Sequence, residues 1–321
     1  MPKIVTVTLN PTIDTSCAVD HVIVDKKLRC SQPRFEPGGG GLNVARAIRL
    51  LGGESTAFWT CGGPLGLFLA TLLDQEGVTH RPIPISGMTR ENLIVYENAS
   101  QDQYRFCMPG PQIQQEEMQA CLQSVRDLAP PPDYLVLSGS LPTGVDEDIY
   151  AQFARQVPAW CRVVLDTSGR ALTRGLEASV YLIKPNISEL GAIAGREIVS
   201  DLEILDVSRK IVRENKAQVV VTSLGTGGGV LVTKDQYEVI RAPTVPIRSK
   251  VGAGDSMVAG LVLSLSRGRT VPESVRYGIA AGSAKVMNEG TQLCRLVDTE
   301  RLAREMAQRS DSTVAKQAHD A

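Results

Sequence analysis

The chain has 321 residues, 43% of them hydrophobic, with 34 Lys+Arg against 35 Asp+Glu and a net charge of -1. That is ample apolar material for one large or two modest domains. The even charge balance, with no like-charge run, excludes nucleic acid or an acidic membrane surface as the main partner. The seven cysteines, Cys17, Cys30, Cys61, Cys107, Cys121, Cys161 and Cys294, form no C-x-x-C pair and read as reduced thiols. His21, His80 and His319 stand too far apart in the chain to suggest zinc. No signal-peptide layout opens the chain and no apolar run approaches membrane length, so a soluble cytoplasmic protein is expected.

Residues 3–9 alternate β-branched and polar positions and predict a first strand, ended by Pro11. Asp14 follows just past its end, where open α/β sheets place ligands, or serves as a turn residue. Residues 15–37 hold two short β-like pieces, 15–19 and 28–34, with several charges and no helical period. The run Pro37-Gly38-Gly39-Gly40-Gly41 opens a helix over 42–51, which Gly52 stops. Four adjacent glycines read as backbone that touches a ligand, as a hinge, or as a flexible loop. A strand at 55–59 and a helix at 65–75 come next. Residues 92–97 and 103–107 flank a polar turn as a hairpin. The β-rich stretches 15–37 and 90–108 are expected to pair as a small lid sheet outside a main body of 1–14, 38–89 and 109–309. An uncovered apolar face on that sheet needs a partner, which a dimer supplies.

From residue 114 helices (114–128, 146–157, 203–215) alternate with apolar strands (134–140, 162–166, 181–186, 218–223). This is the pattern of parallel β-α-β units with helices on both faces. Residues 229–240 predict two strands about a turn at Lys234-Asp235, and helices follow at 256–267 and 272–287. The polar tail 310–321 is expected to be disordered.

Four stretches carry chemistry. Val251-Gly252-Ala253-Gly254-Asp255-Ser256 precedes an apolar run over 257–265. Glycines before a helix let the backbone approach a ligand, and the first helical N–H groups point at it. The segment reads as an anion site with Asp255 at its edge, or as a helix start with Asp255 as N-cap. Asn186-Ile187-Ser188-Glu189 sets an amide and a carboxylate at a helix start, as oxygen ligands for Mg2+ or as a capping box. Ser223-Leu224-Gly225-Thr226-Gly227-Gly228-Gly229 follows a buried strand as a nucleotide-cradling loop does, without matching Walker A or a dinucleotide fingerprint. Lys27, Arg29 and Arg90 are basic residues of the lid that meet an anionic substrate or form solvated surface charge.

Taken together, Leu9-Asn10-Pro11-Thr12-Ile13-Asp14, residues 37–53, Asn186-Ile187-Ser188-Glu189 and residues 251–265 resemble, in that order, the motifs of the ribokinase/PfkB family of carbohydrate kinases. The resemblance covers residues 3–305. Lys27-Leu28-Arg29-Cys30, Gly38-Gly39-Gly40-Gly41, Tyr104-Arg105-Phe106, Met108-Pro109-Gly110, Gly290-Thr291 and Leu293-Cys294 are similar to the branch that phosphorylates fructose 6-phosphate. Kinases of fructose 1-phosphate and tagatose 6-phosphate commonly carry lysine where Gly40 stands. Those two sugars remain alternatives, as does a non-catalytic sugar or nucleotide sensor.

The resemblance implies a ribokinase-like three-layer α/β/α fold with a mainly parallel central sheet and a small β-sheet lid. It implies an ATP-dependent, Mg2+-requiring kinase of glycolysis that makes fructose 1,6-bisphosphate and dimerises through its lid. Asp255 becomes the base, and the N–H groups of Gly252, Ala253 and Gly254 hold the developing charge. Lys184, Asn186, Ser223, Gly225 and Gly228 lie along ATP, and Asn186 and Glu189 organise Mg2+ and its waters. Asp14, Gly39 and Asn43 bind sugar hydroxyls, while Lys27, Arg29, Arg90 and Ser138 meet the sugar phosphate. Ser249, Val251, Asn288 and Gly290 form a potassium site. Lys250, where the family usually has threonine, and Gln292, where close members have arginine, imply an altered potassium dependence.

Overall fold

The computed structural model describes residues 3–319, with side chains described as far as residue 308. The chain opens with β1 (Ile4–Thr8), β2 (Thr12–Val19), β3 (Arg34–Gly38), α1 (Gly40–Leu50), β4 (Thr56–Cys61), α2 (Gly63–Gln75) and β5 (His80–Pro84). It continues through β6 (Arg90–Glu97), β7 (Gln103–Phe106), α3 (Gln115–Arg126), β8 (Tyr134–Ser138), α4 (Ile149–Gln156), β9 (Arg162–Asp166) and α5 (Gly169–Gly175). Then come β10 (Val180–Ile183), α6 (Ile187–Ala194), α7 (Asp201–Arg213), β11 (Ala217–Ser223), β12 (Gly229–Val232), β13 (Tyr237–Ile240), α8 (Ala253–Ser266), α9 (Val271–Val286) and α10 (Leu296–His319).

Among the described residues the main sheet has nine strands in the order β13-β12-β11-β10-β9-β8-β1-β4-β5. It is parallel from β11 to β5, and β12 pairs antiparallel with both its neighbours. Strand alternation divides the apolar side chains between two large cores, beside a third, smaller one around Trp59, Leu69 and Leu73. Val163 and Leu165 face a core shared with α3, α4, α5, α6 and α7. Val164 faces the opposite core, shared with α1, α8, α9 and α10. α8 and α9 pack closely because small residues meet: a Cβ placed on Gly260 would lie 2.8 Å from that of Ala281.

A second sheet of four strands, ordered β3-β2-β6-β7, stands beside this body. Parallel pairing of β2 with β6 joins the two β-rich stretches of the sequence. The expected strand over 28–34 does not form. The partner of β2 is β3, at Arg34–Gly38, and residues 21–33 are irregular and exposed. The backbone of α10 runs through residue 319, across most of the segment expected to be disordered. Asp320, Ala321 and the side chains beyond residue 308 lie outside the described residues. Among those described, no helix is long and apolar enough to cross a membrane.

Candidate active site

The carboxyl ends of β1, β8, β9, β10 and β11 share one edge of the main sheet, and the N-termini of α1 and α8 return to it. Gly252 caps α8 with φ of 79°, a left-handed conformation that other residues adopt only with strain. Asp255 is not the cap. It sits inside the first turn, and its Oδ2 accepts from Asn43 Nδ2 at 2.9 Å, across the body from α1. Burial pushes its carboxyl up to about 6; Asp166 adds to the rise, while Asn43 and Lys184 oppose it. A carboxylate so placed is ionised at neutral pH yet more basic than an exposed one.

Asn43 is itself held. Arg46, one turn further along α1, donates through Nη1 to Asn43 Oδ1 at 3.1 Å and to Pro37 O at 2.6 Å. Its Nε and Nη2 fork onto the two oxygens of Glu76, both at 2.6 Å. Arg46 is 5% exposed, so the fork and the carbonyl supply what water no longer does. Sequence reasoning missed Arg46 and Glu76; the available signal was a charge set among Val44, Ala45, Ala47 and Ile48.

Lys184, just beyond β10, is 7% exposed and pairs with Asp166 Oδ1 at 3.0 Å. Burial works against its charge, but Asp166, with Glu189 and Asp255 behind it, outweighs that and holds its pKa above the ordinary value. A Cβ on Gly254 would stand 3.4 Å from Lys184 Nζ, so the ammonium faces the first turn of α8. Asp166 was another omission, though a carboxylate ending a buried parallel strand lies where such sheets bind ligands. Asn186 and Glu189 do form the capping box: Asn186 Oδ1 accepts from Glu189 N–H, and Glu189 Oε2 from Asn186 N–H, both at 2.8 Å. Glu189 Oε1 stays free of hydrogen bonds, and burial raises the pKa of this carboxyl. Ser223 bridges to Asn186, and Gly225 and Gly228 bound the tight turn after β11. Among the described residues no group of three or more metal-ligating side chains forms. A divalent cation beside Glu189 would draw most ligands from phosphates and water, which is the habit of Mg2+.

Asp14 is a strand residue of β2 rather than a turn residue, and its Oδ1 accepts from Asn92 Nδ2 at 2.9 Å. Burial raises its pKa, against Asn92 and then Arg105, Arg90 and Arg46. Arg90 donates to Asn10 O at 3.1 Å and Met108 O at 3.0 Å, which leaves its buried Nε without a partner. Ser138 Oγ, at the end of β8, is likewise buried and unpartnered. Such orphans mark polar atoms available to a ligand. Gly39 has φ of 109° above Thr8, and Gly40 lies against Ser138. The structure does not bring Lys27 and Arg29 to this group; both are exposed on the 21–33 segment and make no hydrogen bond or ion pair there.

At the residues implied to hold potassium, three side-chain or carbonyl atoms make hydrogen bonds within the chain. Gly290 O accepts from Lys285 Nζ at 3.0 Å, Asn288 Nδ2 donates to Leu293 O at 2.7 Å, and Ser249 Oγ accepts from Val251 N–H at 3.4 Å. Ala253 N–H turns toward Lys250 O at 3.3 Å, while the Lys250 side chain is exposed and Gln292 is half-buried.

The model of the pfkB family of carbohydrate kinases matches residues 7–298. The ATP-dependent 6-phosphofructokinase isozyme 2 of Mycobacterium tuberculosis is 41% identical over 305 residues, covering 94% of this chain and 88% of that protein. Its counterpart in Escherichia coli K12 is 40% identical over 304 residues, covering 94% and 98%. A crystal structure of phosphofructokinase-2 from Escherichia coli in complex with potassium matches with a TM-score of 0.91 and 38% identity, over 96% of this chain and 100% of that one. The ribokinase-like architecture expected from the motifs is the one found. Family model, relatives and fold agree over nearly the whole length, and this chain belongs to the pfkB family of carbohydrate kinases.

Proposed function

We propose that the chain transfers the γ-phosphoryl group of ATP to the C1 hydroxyl of fructose 6-phosphate, giving fructose 1,6-bisphosphate and ADP in cytoplasmic glycolysis. The observation that carries this reading is Asp255, set in the first turn of a glycine-capped helix with Lys184 facing the same turn. Asn43 fixes one carboxylate oxygen, so the other is free to take the C1 proton. The N–H groups and dipole of α8, with the Lys184 ammonium, meet the negative charge on the moving phosphoryl group. Phosphoryl transfer depends chiefly on such positioning. Mg2+, when bound, neutralises the ATP phosphates; Glu189 Oε1 and Asn186 would hold its water shell. Gly225–Gly227, in the turn after β11, are exposed and open to the nucleotide.

The choice of sugar rests on the other end of the site. Arg90 Nε and Ser138 Oγ are buried polar atoms that a sugar phosphate would satisfy. At Gly40 a Cβ would lie 2.4 Å from Ser138 Oγ and 2.6 Å from Gly139 N, so no side chain fits where kinases of other sugar phosphates commonly carry lysine. Lys27 and Arg29 would reach the phosphate by movement of the exposed segment that bears them. The lid supports a homodimer: Phe35, Thr15, Leu93 and Phe106 stand in one row of register across β3, β2, β6 and β7. The two phenylalanines and Leu93 are exposed. A row of this kind reads as an interface.

The test is ADP release from Mg2+-ATP with fructose 6-phosphate, fructose 1-phosphate, tagatose 6-phosphate, ribose and adenosine. Fructose 6-phosphate should be preferred, and Asp255→Asn should bind sugar and ATP without turnover. Preference for another sugar refutes the substrate, and turnover by Asp255→Asn refutes the base.

A further inference from the structure

Among the buried charges that the mechanism leaves unused, one is a lysine. Lys285, in the last turn of α9, has no exposed surface. A lysine is almost never buried without a partner. Its ammonium donates to Gly290 O at 3.0 Å. Burial pushes its pKa down to about 8; the nearby Glu36 carboxylate, on lid strand β3, opposes that shift and is itself held by Thr291 Oγ1. The stem of Lys285 passes beneath the loop before α8: a Cβ on Gly252 would stand 3.8 Å from Lys285 Cε. A positive charge therefore lies directly behind the glycine that caps the anion-holding helix.

Potassium would need this place and this oxygen. It is bound by replacing its hydration shell with carbonyl and other oxygens. Of the four residues implied as its ligands, Gly290 already gives its carbonyl to an ammonium. The amide nitrogen of Asn288 points at Leu293 O. A second cation beside Lys285 would be repelled at short range in a poorly solvated setting. With Gly290 O held by an ammonium and a like charge beside it, a free potassium ion is disfavoured here. An ammonium is close to potassium in size and equal in charge.

We propose that the Lys285 ammonium stands in the role of the monovalent cation, backing the loop 251–254 with positive charge, so that the enzyme works without potassium. Lys285 is then a positioning residue, since it touches the loop and not the substrates. The activity arm of the test rests on the sugar-kinase reading; the melting arm does not.

The full chain is assayed with Mg2+-ATP and fructose 6-phosphate in a potassium-free buffer whose counter-cation is tetramethylammonium. Wild-type kcat/KM should change less than about twofold on adding potassium to roughly 0.1 M, near physiological ionic strength. Lys285→Ala should lose about tenfold, less than the roughly hundredfold or more seen when a direct contact to transition-state charge is removed, because it acts through the loop. Potassium, ammonium or methylammonium should restore it. In parallel, the wild-type melting temperature should be the same in KCl and NaCl, and Lys285→Ala should gain a potassium-specific rise. If Lys285→Ala fails to fold, Lys285→Met keeps the volume of the stem, and the wild-type arms decide alone. Activation of the wild type by potassium overturns the proposal, as does a potassium-specific rise in its melting temperature or a variant that answers potassium no differently. Silence with every sugar would sink the substrate reading and leave the melting comparison in force.

Discussion

Asp255→Asn tests whether the carboxylate proposed as base is held at the expense of stability. Folding raises its pKa from 3.8 to about 6, chiefly by burial. The protonated form is therefore the one the fold favours. The resulting contribution to stability is fully present below the unfolded value and is lost as pH rises through the folded one. At about 1.4 kcal/mol per pH unit, the raised value corresponds to roughly 3 kcal/mol against the ionised protein. Partial solvent contact at Asp255 reduces this to about 2 kcal/mol. Asparagine keeps the acceptor for Asn43 and carries no charge at any pH. The variant should therefore be more stable than wild type by about 2 kcal/mol near pH 8, with the gap closing toward pH 4. Urea unfolding followed by the fluorescence of buried Trp59, extrapolated linearly at several pH values, measures the gap. A gap of zero, or one that does not change with pH, would refute both the burial argument and the assignment of Asp255 as a base poised by its surroundings.

The same carboxylate should give kcat/KM an acid limb with its midpoint at about 6, rate falling as the base is protonated. Asn43→Ala removes the bond that opposes the rise, so the midpoint should move upward by about one pH unit, the size of a hydrogen bond to a charged group; an unmoved midpoint in pH–rate profiles would detach Asn43 from Asp255. Gly40→Ala places a Cβ 2.4 Å from Ser138 Oγ. It should lower kcat/KM for fructose 6-phosphate by roughly a hundredfold through misplaced sugar, with KM for ATP unchanged; equal loss on both substrates in steady-state assays would mean collapse of the edge instead. Phe106→Asp puts a charge into the exposed row of the lid and should yield monomers by light scattering, whereas an unchanged mass would remove the lid from the interface.

The alternation of helices and apolar strands from residue 114 onward was legible because buried parallel strands read as continuous apolar runs. The misreadings fall on edges. β5 (His80–Pro84) carries Pro82 and Pro84, which argue against a strand anywhere but at a border, and β5 is the outermost strand of its sheet. β3 carries Pro37 and Gly38 and is likewise the outermost strand of the lid. There the composition of residues 28–34 looked more strand-like than the true partner of β2. Local propensity cannot say which segment lies opposite β2; that is decided by the register that sets Gly38 against Thr12, where a Cβ would strike Asp14. Tertiary fit overrode the local signal.

The site divides in the same way. Asp255, Asn43, Lys184 and Glu189 were legible because each sits in a motif read along the chain. Arg46, Glu76, Asp166 and Lys285 were not, because their roles exist only between elements distant in sequence. Lys250 and Lys285 make the contrast sharpest. Lys250 drew notice because it adjoins the loop in sequence, yet its side chain is exposed. Lys285 drew none, yet it is fully buried and lies beneath the same loop. The cue was the one that would also have found Arg46: a lone cation within an apolar helical face, here beside Ala281 and Ala284. Such a residue must find carboxylate or carbonyl oxygens in the interior, or its burial would strongly destabilise the fold. Both cations find theirs next to the chemistry. Arg46 joins Glu76 to the asparagine that bonds Asp255, and Lys285 holds Gly290 O beneath the loop before α8, with the Glu36 carboxylate nearby. In this chain the interior charges that no motif explains are the ones that fix where the motif residues stand.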